Sequence, residues 1–150
     1  MKTKRISLLL SVILILAACQ APLPTLEAKV NNEFTLASGQ SVSVKRADLT
    51  ITFNSVLSDE RCPSKIECAS SGPVTVSLSV QKGSDTPSTI TLETFTDPNG
   101  RAPTGPFEGI QDRLAVNGYL LQVTGVLPYP KNLSGIKASD YQVTLIVLGD

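Results

Sequence analysis

The chain alternates most regularly at Val74-Thr75-Val76-Ser77-Leu78-Ser79-Val80, where every second residue is apolar and the others carry small hydroxyl groups. A period of two is typical of a β-strand with one buried face and one face in solvent. Such a strand is stable only when its apolar face packs against another layer, usually a second antiparallel sheet. The stretch therefore predicts an all-β protein.

Similar but shorter patterns occur on both sides of this stretch. They predict strands at 34–36, 41–45, 49–54, 89–94, 114–116, 119–126 and 141–148. Asn117-Gly118 separates two of them and suits the type I′ turn of a hairpin. The last strand is apolar on both faces near its end, which predicts a central position. Seven or eight strands punctuated by Gly and Pro indicate an antiparallel β-sandwich, with a small β-barrel as the alternative.

The composition limits the chemistry that this chain can perform. It has no histidine, which excludes Ser-His-Asp and Cys-His nucleophile pairs as well as His-based zinc sites. It also has no tryptophan, so stacking on sugars or bases would depend on three tyrosines and four phenylalanines. We therefore expect no cofactor and no metal. Binding is expected in the long predicted loops, 58–73, 95–110 and 127–140.

The N-terminus has the layout of an export signal. Three basic residues, Lys2, Lys4 and Arg5, precede an apolar run at 6–18, and the run ends in Leu16-Ala17-Ala18-Cys19. This resembles a bacterial lipoprotein signal peptide, which implies removal of residues 1–18 and lipidation of Cys19. An uncleaved N-terminal helix and a secretory signal cleaved after Ala18 are the alternatives.

The resemblance implies three regions: a signal peptide at 1–18, a lipidated tether at 19–32 and a β-sandwich domain at 33–150. It also implies a location at the cell membrane or the outer membrane, facing the periplasm or the exterior. Removing the signal leaves ten basic and thirteen acidic side chains, a net charge of about −3. This balance argues against nucleic acid as a partner and against a polybasic grip on anionic lipid. The expected partners are the membrane, through the lipid, and an envelope protein.

With Cys19 lipidated, Cys62 and Cys68 remain as a pair. In an oxidising compartment such a pair predicts a disulfide. A metal site with two cysteine ligands is the rival interpretation, and it needs two further ligands that histidine cannot supply here.

One motif inside the domain is distinctive: Asp59-Glu60-Arg61-Cys62-Pro63, four further residues, and then Cys68. It resembles a family of uncharacterised bacterial secreted or lipid-anchored domains with the pattern D-[S/E]-R-C-P-x4-C. The resemblance extends over nearly all of 33–148 and implies no activity. Family members have Trp-Ala-Gly after the second cysteine, whereas this chain has Ala69-Ser70-Ser71-Gly72.

The charged residues before the cysteines allow two interpretations. Asp59, Glu60 and Arg61 can form a recognition tip held rigid by the disulfide. Alternatively, a buried Asp59–Arg61 pair pins the loop through bidentate hydrogen bonds and has no binding role.

Three functions follow as hypotheses. The first is a non-enzymatic, lipid-anchored module that binds a partner or supports the envelope. The second is a protease inhibitor that presents the 95–110 loop, in which Phe107 either enters a partner's cleft or packs on its own domain. The third is a hydrolase that uses a pair of carboxylates; its candidate residues are Glu93, Asp97, Glu108 and Asp112.

Overall fold

The computed structural model describes residues 23–149, which form two packed β-sheets. The strands are β1 (Leu26–Ala28), β2 (Glu33–Ala37), β3 (Ser41–Val44), β4 (Leu49–Asp59), β5 (Val74–Lys82), β6 (Ser88–Thr94), β7 (Arg113–Val116), β8 (Tyr119–Leu127) and β9 (Gln142–Leu148). These residues contain two single 3₁₀ turns and no α-helix. No helix in this part of the chain could cross a membrane. The predicted signal peptide and Cys19 lie outside the described residues.

The two sheets are separate, so the predicted β-sandwich is confirmed and the barrel alternative is wrong. One sheet has the order β1-β3-β4-β5-β6, and the other has the order β2-β9-β8-β7. The chain changes sheets between β2 and β3, through a turn in which Gly39 has a φ of 79°. Because β9 lies between β2 and β8, its predicted central position is also confirmed.

The alternation that predicted the fold also determines the core. The four apolar residues of 74–80 are at most 4% exposed, and they face inward. Opposite them, the second sheet buries a matching set: Leu36, Leu121, Val123, Val126, Val143, Leu145 and Val147. Phe53 of β4 is the largest fully buried side chain. Burying each large apolar side chain contributes about 1.5–3 kcal/mol, so this layer supplies most of the stability.

The Asn117-Gly118 hairpin forms as predicted. Val116 and Tyr119 pair across it, and the two turn residues have φ values of 53° and 81°. Positive φ at both central positions is the requirement of a type I′ turn, which Asn and Gly meet at low cost.

Most predicted strands differ from the observed bounds by one or two residues at an end, and two strands differ by more. Leu26–Ala28 pairs in parallel with β3, although the prediction assigned 19–32 to the tether. Three residues are too few to show a period, so the strand depends on tertiary pairing. β4 continues to Asp59 rather than ending at 54, because irregularities after Phe53 and Val56 interrupt its alternation.

Candidate functional site

One end of the sandwich holds most of the predicted site. β4 ends there at Asp59, β8 ends at Leu127 and β9 begins at Gln142. The segments 60–73, 95–97 and 128–141 connect strands at this end. We call these segments and the adjoining strand termini the disulfide end.

The Arg61 side chain is the fully buried centre of the disulfide end. Its Nε and Nη2 donate to the two carboxylate oxygens of Asp59, at 2.7 and 2.6 Å. Nη1 donates to the carbonyl of Val126 at 2.9 Å and to the hydroxyl of Thr96 at 3.0 Å. Nη2 also donates to the carbonyl of Pro128 at 3.0 Å. The five N–H donors of the guanidinium therefore have five acceptors within the domain.

Because all five donors of its guanidinium are used within the domain, Arg61 has a structural role. Its bonds join the end of β4 to segment 95–97 and to the end of β8. The ring of Tyr129 also lies on the guanidinium, with its centroid 5.0 Å from Cζ, a cation–π contact. A buried arginine without a spare donor holds the chain together rather than contacting a ligand. The arrangement is the one that the loop-pinning interpretation predicts.

Asp59 is shared between Arg61 and Tyr141, whose hydroxyl donates to Oδ2 at 2.9 Å. Burial of the carboxyl group favours its neutral form, but the hydrogen bonds and charge of Arg61 outweigh this effect. The pKa of Asp59 is therefore lowered below its usual value of 3.8. Because the folded-state pKa is the lower one, the ion pair stabilises the fold above about pH 4 and is lost as the pH falls through the lowered pKa.

Tyr141 has the opposite shift. Burial, followed by the hydrogen bond to the Asp59 carboxylate and the charge of that group, raises the pKa of Tyr141 to about 12. Near neutral pH the site therefore holds an ionised Asp59 and a protonated Tyr141.

The Tyr141→Phe variant tests this arrangement through its pH dependence. Because the pKa of Tyr141 is higher in the folded state, the phenol stabilises the fold fully below pH 10, and this contribution is lost as the pH rises towards about 12. We expect the stability difference between wild type and Tyr141→Phe to shrink over this interval. Urea unfolding at a series of pH values measures it. A difference that is equal at pH 9 and pH 12 would contradict the assignment.

Cys62 and Cys68 form the predicted disulfide. The metal-site alternative is wrong, because the two sulfurs bond to each other. The loop is further closed by the amide of Cys62, which donates to Ser71 Oγ at 3.0 Å, and by the amide of Gly72, which donates to the Glu60 carbonyl at 2.8 Å. A Cβ on Gly72 would lie 2.6 Å from Glu60 Cβ, so this approach requires glycine. Cross-linking so short a loop contributes about 2 kcal/mol.

An open cleft of about 290 Å³ lies at the disulfide end. The segments on its two sides are joined by amides of 60–73 that donate to carbonyls of 128–141: Ser64 to Pro130 at 3.0 Å and Lys65 to Lys131 at 3.3 Å. Its lining combines polar and apolar groups, among them Glu60, Pro63, Ser70, Asn132, Leu133 and Ile136. Of the three predicted recognition residues, only Glu60 is exposed. The cleft therefore presents Glu60 and apolar side chains to solvent, while Asp59 and Arg61 support it from within.

The 95–110 loop is pinned at its start and exposed later. The amide of Ala102 donates to the Thr124 carbonyl at 2.9 Å, and the amide of Val126 donates to the Gly100 carbonyl at 2.8 Å, so this part lies across β8. Residues 103–109 are exposed. Phe107 packs edge-on against Phe95 at 5.5 Å but remains 46% exposed. The ring therefore packs on its own domain with one side, and the other side stays open.

Two of the four candidate carboxylates have hydrogen-bond partners within the domain. Asp97 accepts from the amides of Asn99 and Arg101 at 2.9 Å, which closes its own turn. Asp112 is buried and accepts two hydrogen bonds from the Arg113 guanidinium, at 2.9 and 2.7 Å. These contacts explain both groups structurally. Glu93 lies on β6, and Glu108 lies in the exposed part of the 95–110 loop.

Within residues 23–149, no group of three His, Cys, Asp or Glu side chains could hold a metal ion. No family model, curated protein or solved structure compared with the chain matches it. The resemblance based on the Cys-Pro motif therefore stays a prediction.

Sequence reasoning did not find all of the site. It did not single out Tyr141 as a partner of Asp59, nor Leu133 as a cleft residue. Tyr141 is 82 residues from Asp59 along the chain, and a hydrogen bond over that distance leaves no periodic signal. Leu133 lies in a loop without regular alternation, where an apolar residue does not reveal whether it is buried.

Proposed function

We propose that this chain is a lipid-anchored cell-envelope lipoprotein and a non-enzymatic binding or structural module. The observation that carries the proposal is Leu16-Ala17-Ala18-Cys19, placed directly after a basic and apolar leader. Cys19 lies only seven residues before the first strand, Leu26–Ala28. A lipid on Cys19 would hold the sandwich at the membrane surface, facing the periplasm or the exterior.

The proposed binding site is the cleft at the disulfide end. Its walls are rigid, because the disulfide closes one segment and Arg61 joins it to the end of β8. Preformed walls reduce the entropy that binding costs. The partner is the membrane or an envelope protein rather than a nucleic acid, since the net charge of the part after the predicted signal is about −3.

The electrostatics of this site support a binding role over catalysis. A general acid or base works best when its pKa lies near the working pH. The pKa of Asp59 is lowered below 3.8, whereas that of Tyr141 is raised to about 12. Neither group exchanges a proton readily near neutral pH, and both are occupied with each other.

Anchoring is tested with Cys19→Ser in the producing cell. We expect wild-type protein in the membrane fraction, carrying fatty acyl mass at its mature N-terminus, and complete loss of both in Cys19→Ser. Several acyl chains give stable anchoring, so the effect should be close to all or none. Gln20→Ser is the matched control, because it changes the neighbouring residue and keeps the thiol. Membrane retention of Cys19→Ser, or wild-type protein without acyl mass, would contradict the proposal.

A further inference from the structure

The pairing of β1 sets the direction from which the tether arrives. β1 runs parallel to β3, with Leu26 beside Val42, and Val42 lies opposite Ile51 of β4. β3 and β4 are antiparallel, so the chain before Leu26 comes from the side on which β4 ends at Asp59. That side is the disulfide end. A chain that continues β1 backwards therefore leads from the sheet towards the disulfide end.

The tether is too short to hold this end away from a membrane. Cys19 lies seven residues before Leu26. An extended chain of that length spans at most about 25 Å. Ile51 pairs with Val80 and Asp59 with Val74, which are six residues apart on β5 because two irregularities shorten β4, and this corresponds to about 20 Å. Even a fully extended tether therefore places a lipid on Cys19 at most about 5 Å beyond Asp59. The connections 60–73 and 128–141 continue past the end of β4, so they lie within reach of the bilayer surface.

The apolar surface is concentrated at the same end. The described residues expose six large hydrophobic side chains, and four of them lie at the disulfide end. Leu57 and Leu127 lie near the ends of β4 and β8, and Ile66 and Leu133 lie on the connecting segments. Leu133 is 84% exposed, the highest value of the six. The connections at the opposite end, 45–48, 83–87 and 117–118, carry none of the six. A concentration of exposed apolar side chains at one end is typical of a surface that contacts an apolar partner.

The charges at this end are nearly balanced. Its exposed basic residues are Lys65, Lys131 and Lys137, and its exposed acidic residues on the connecting segments are Glu60, Glu67, Asp97 and Asp140. An excess of one acidic group gives no net attraction to anionic headgroups. Contact at this end therefore depends on apolar side chains that enter the headgroup boundary, as in interfacial membrane proteins.

We infer that the disulfide end is a membrane-docking surface, with Leu133 and Ile66 in the interface of the bilayer that holds Cys19. This inference rests on the proposed lipid anchor. It identifies the lipid bilayer as the partner of the disulfide end. With this surface in the interface, the domain lies directly on the membrane in a fixed orientation.

The absence of tryptophan from the chain allows a direct test. Three single-tryptophan variants of the lipidated, full protein are incorporated into phosphatidylcholine vesicles whose acyl chains carry bromine, a contact quencher. Leu133→Trp reports contact of the disulfide end with the bilayer. Thr86→Trp reports contact of the opposite end, and Lys29→Trp reports contact of the exposed residue that follows β1. Because each variant gains the same residue, any general preference of tryptophan for interfaces cancels.

We expect Leu133→Trp to show a blue shift and quenching several-fold stronger than the other two, with no change at high salt. Vesicle sedimentation separates the two proposals. Protein that does not sediment refutes the anchor, and with it the docking. Protein that sediments while Leu133→Trp is not quenched refutes the docking alone and leaves this end free for an envelope protein. Stronger quenching of Lys29→Trp would mean that the domain lies on its β1 edge, which also overturns the inference.

Discussion

Replacing Arg61 by methionine is expected to lower the free energy of unfolding by about 3–5 kcal/mol, because a buried carboxylate loses its cation. The Asp59 side chain is only 12% exposed, so water cannot replace the lost donors fully. The carbonyls of Val126 and Pro128 lose their donors in the same step. Methionine retains an unbranched apolar stem, which limits the packing change. Urea unfolding at pH 7 measures the loss.

Arg101→Met is the matched control for this change. Arg101 also pairs with a carboxylate, Glu33, at 3.2 Å, but the two side chains are 64% and 38% exposed. An exposed pair contributes about 0–1 kcal/mol, so the control should stay close to wild type. If Arg61→Met does not fold, Arg61→Lys keeps the charge while losing the planar set of five donors, and an intermediate loss is expected. Equal losses in the Arg61 and Arg101 variants would contradict the central role of Arg61.

Replacing Phe53 by alanine is expected to cost about 3–5 kcal/mol, the range for removing a buried aromatic ring from a packed core. Phe53 has no exposed area and is the largest fully buried side chain of the sandwich. It lies on β4 opposite Leu78 of β5, so its ring belongs to the layer that joins the two sheets. The loss should appear as a lower unfolding midpoint with an unchanged dependence on urea concentration.

Thr50→Ala gives the control on the same strand. Thr50 lies three residues before Phe53 and faces outward, partly exposed, on the polar side of β4. Removing this side chain should change stability by less than about 1 kcal/mol, which reflects β-propensity alone. Similar losses for the two variants would mean that the inner face of β4 does not form the core.

At the disulfide end, the buried residues around Arg61 are expected to determine stability, and the exposed residues are expected to determine binding. Asp59, Arg61 and Tyr141 bond to one another, to the hydroxyl of Thr96 or to the main chain, whereas Glu60 and Leu133 are exposed beside the cleft. Variants of the inner group should therefore weaken folding, and variants of the outer group should alter membrane contact without weakening folding. This division can be checked by measuring unfolding and vesicle quenching on the same variants.

Most strands could be predicted because their signal is local. Val74–Val80 shows the period of two in its own residues, and Asn117-Gly118 carries the conformational preference of its own turn. At β4 the local signal is shorter than the strand. Irregularities after Phe53 and Val56 shift its register, so the alternation ends in the sequence before the strand ends in the structure.

The candidate site was predictable only in part. The motif placed Asp59, Arg61 and the two cysteines near one another, since they are close in the chain. Whether Arg61 faced a partner or the interior depended on acceptors at Thr96, Val126 and Pro128, which lie 35 to 67 residues away. Sequence patterns do not reveal such long-range contacts, because loops have no periodic alternation of apolar and polar residues.

The amino-acid sequence by itself determined the all-β class, the main hairpin and the inward faces of the strands, since steric and hydrophobic preferences act over a few neighbouring residues. Only the tertiary structure decided that β1 joins the sheet beside β3, which shortens the tether. It alone also decided that Arg61 is buried and that Leu133 and Ile66 are exposed at one end. Burial depends on which distant segments cover a residue, and that is a property of the packed chain rather than of any stretch within it.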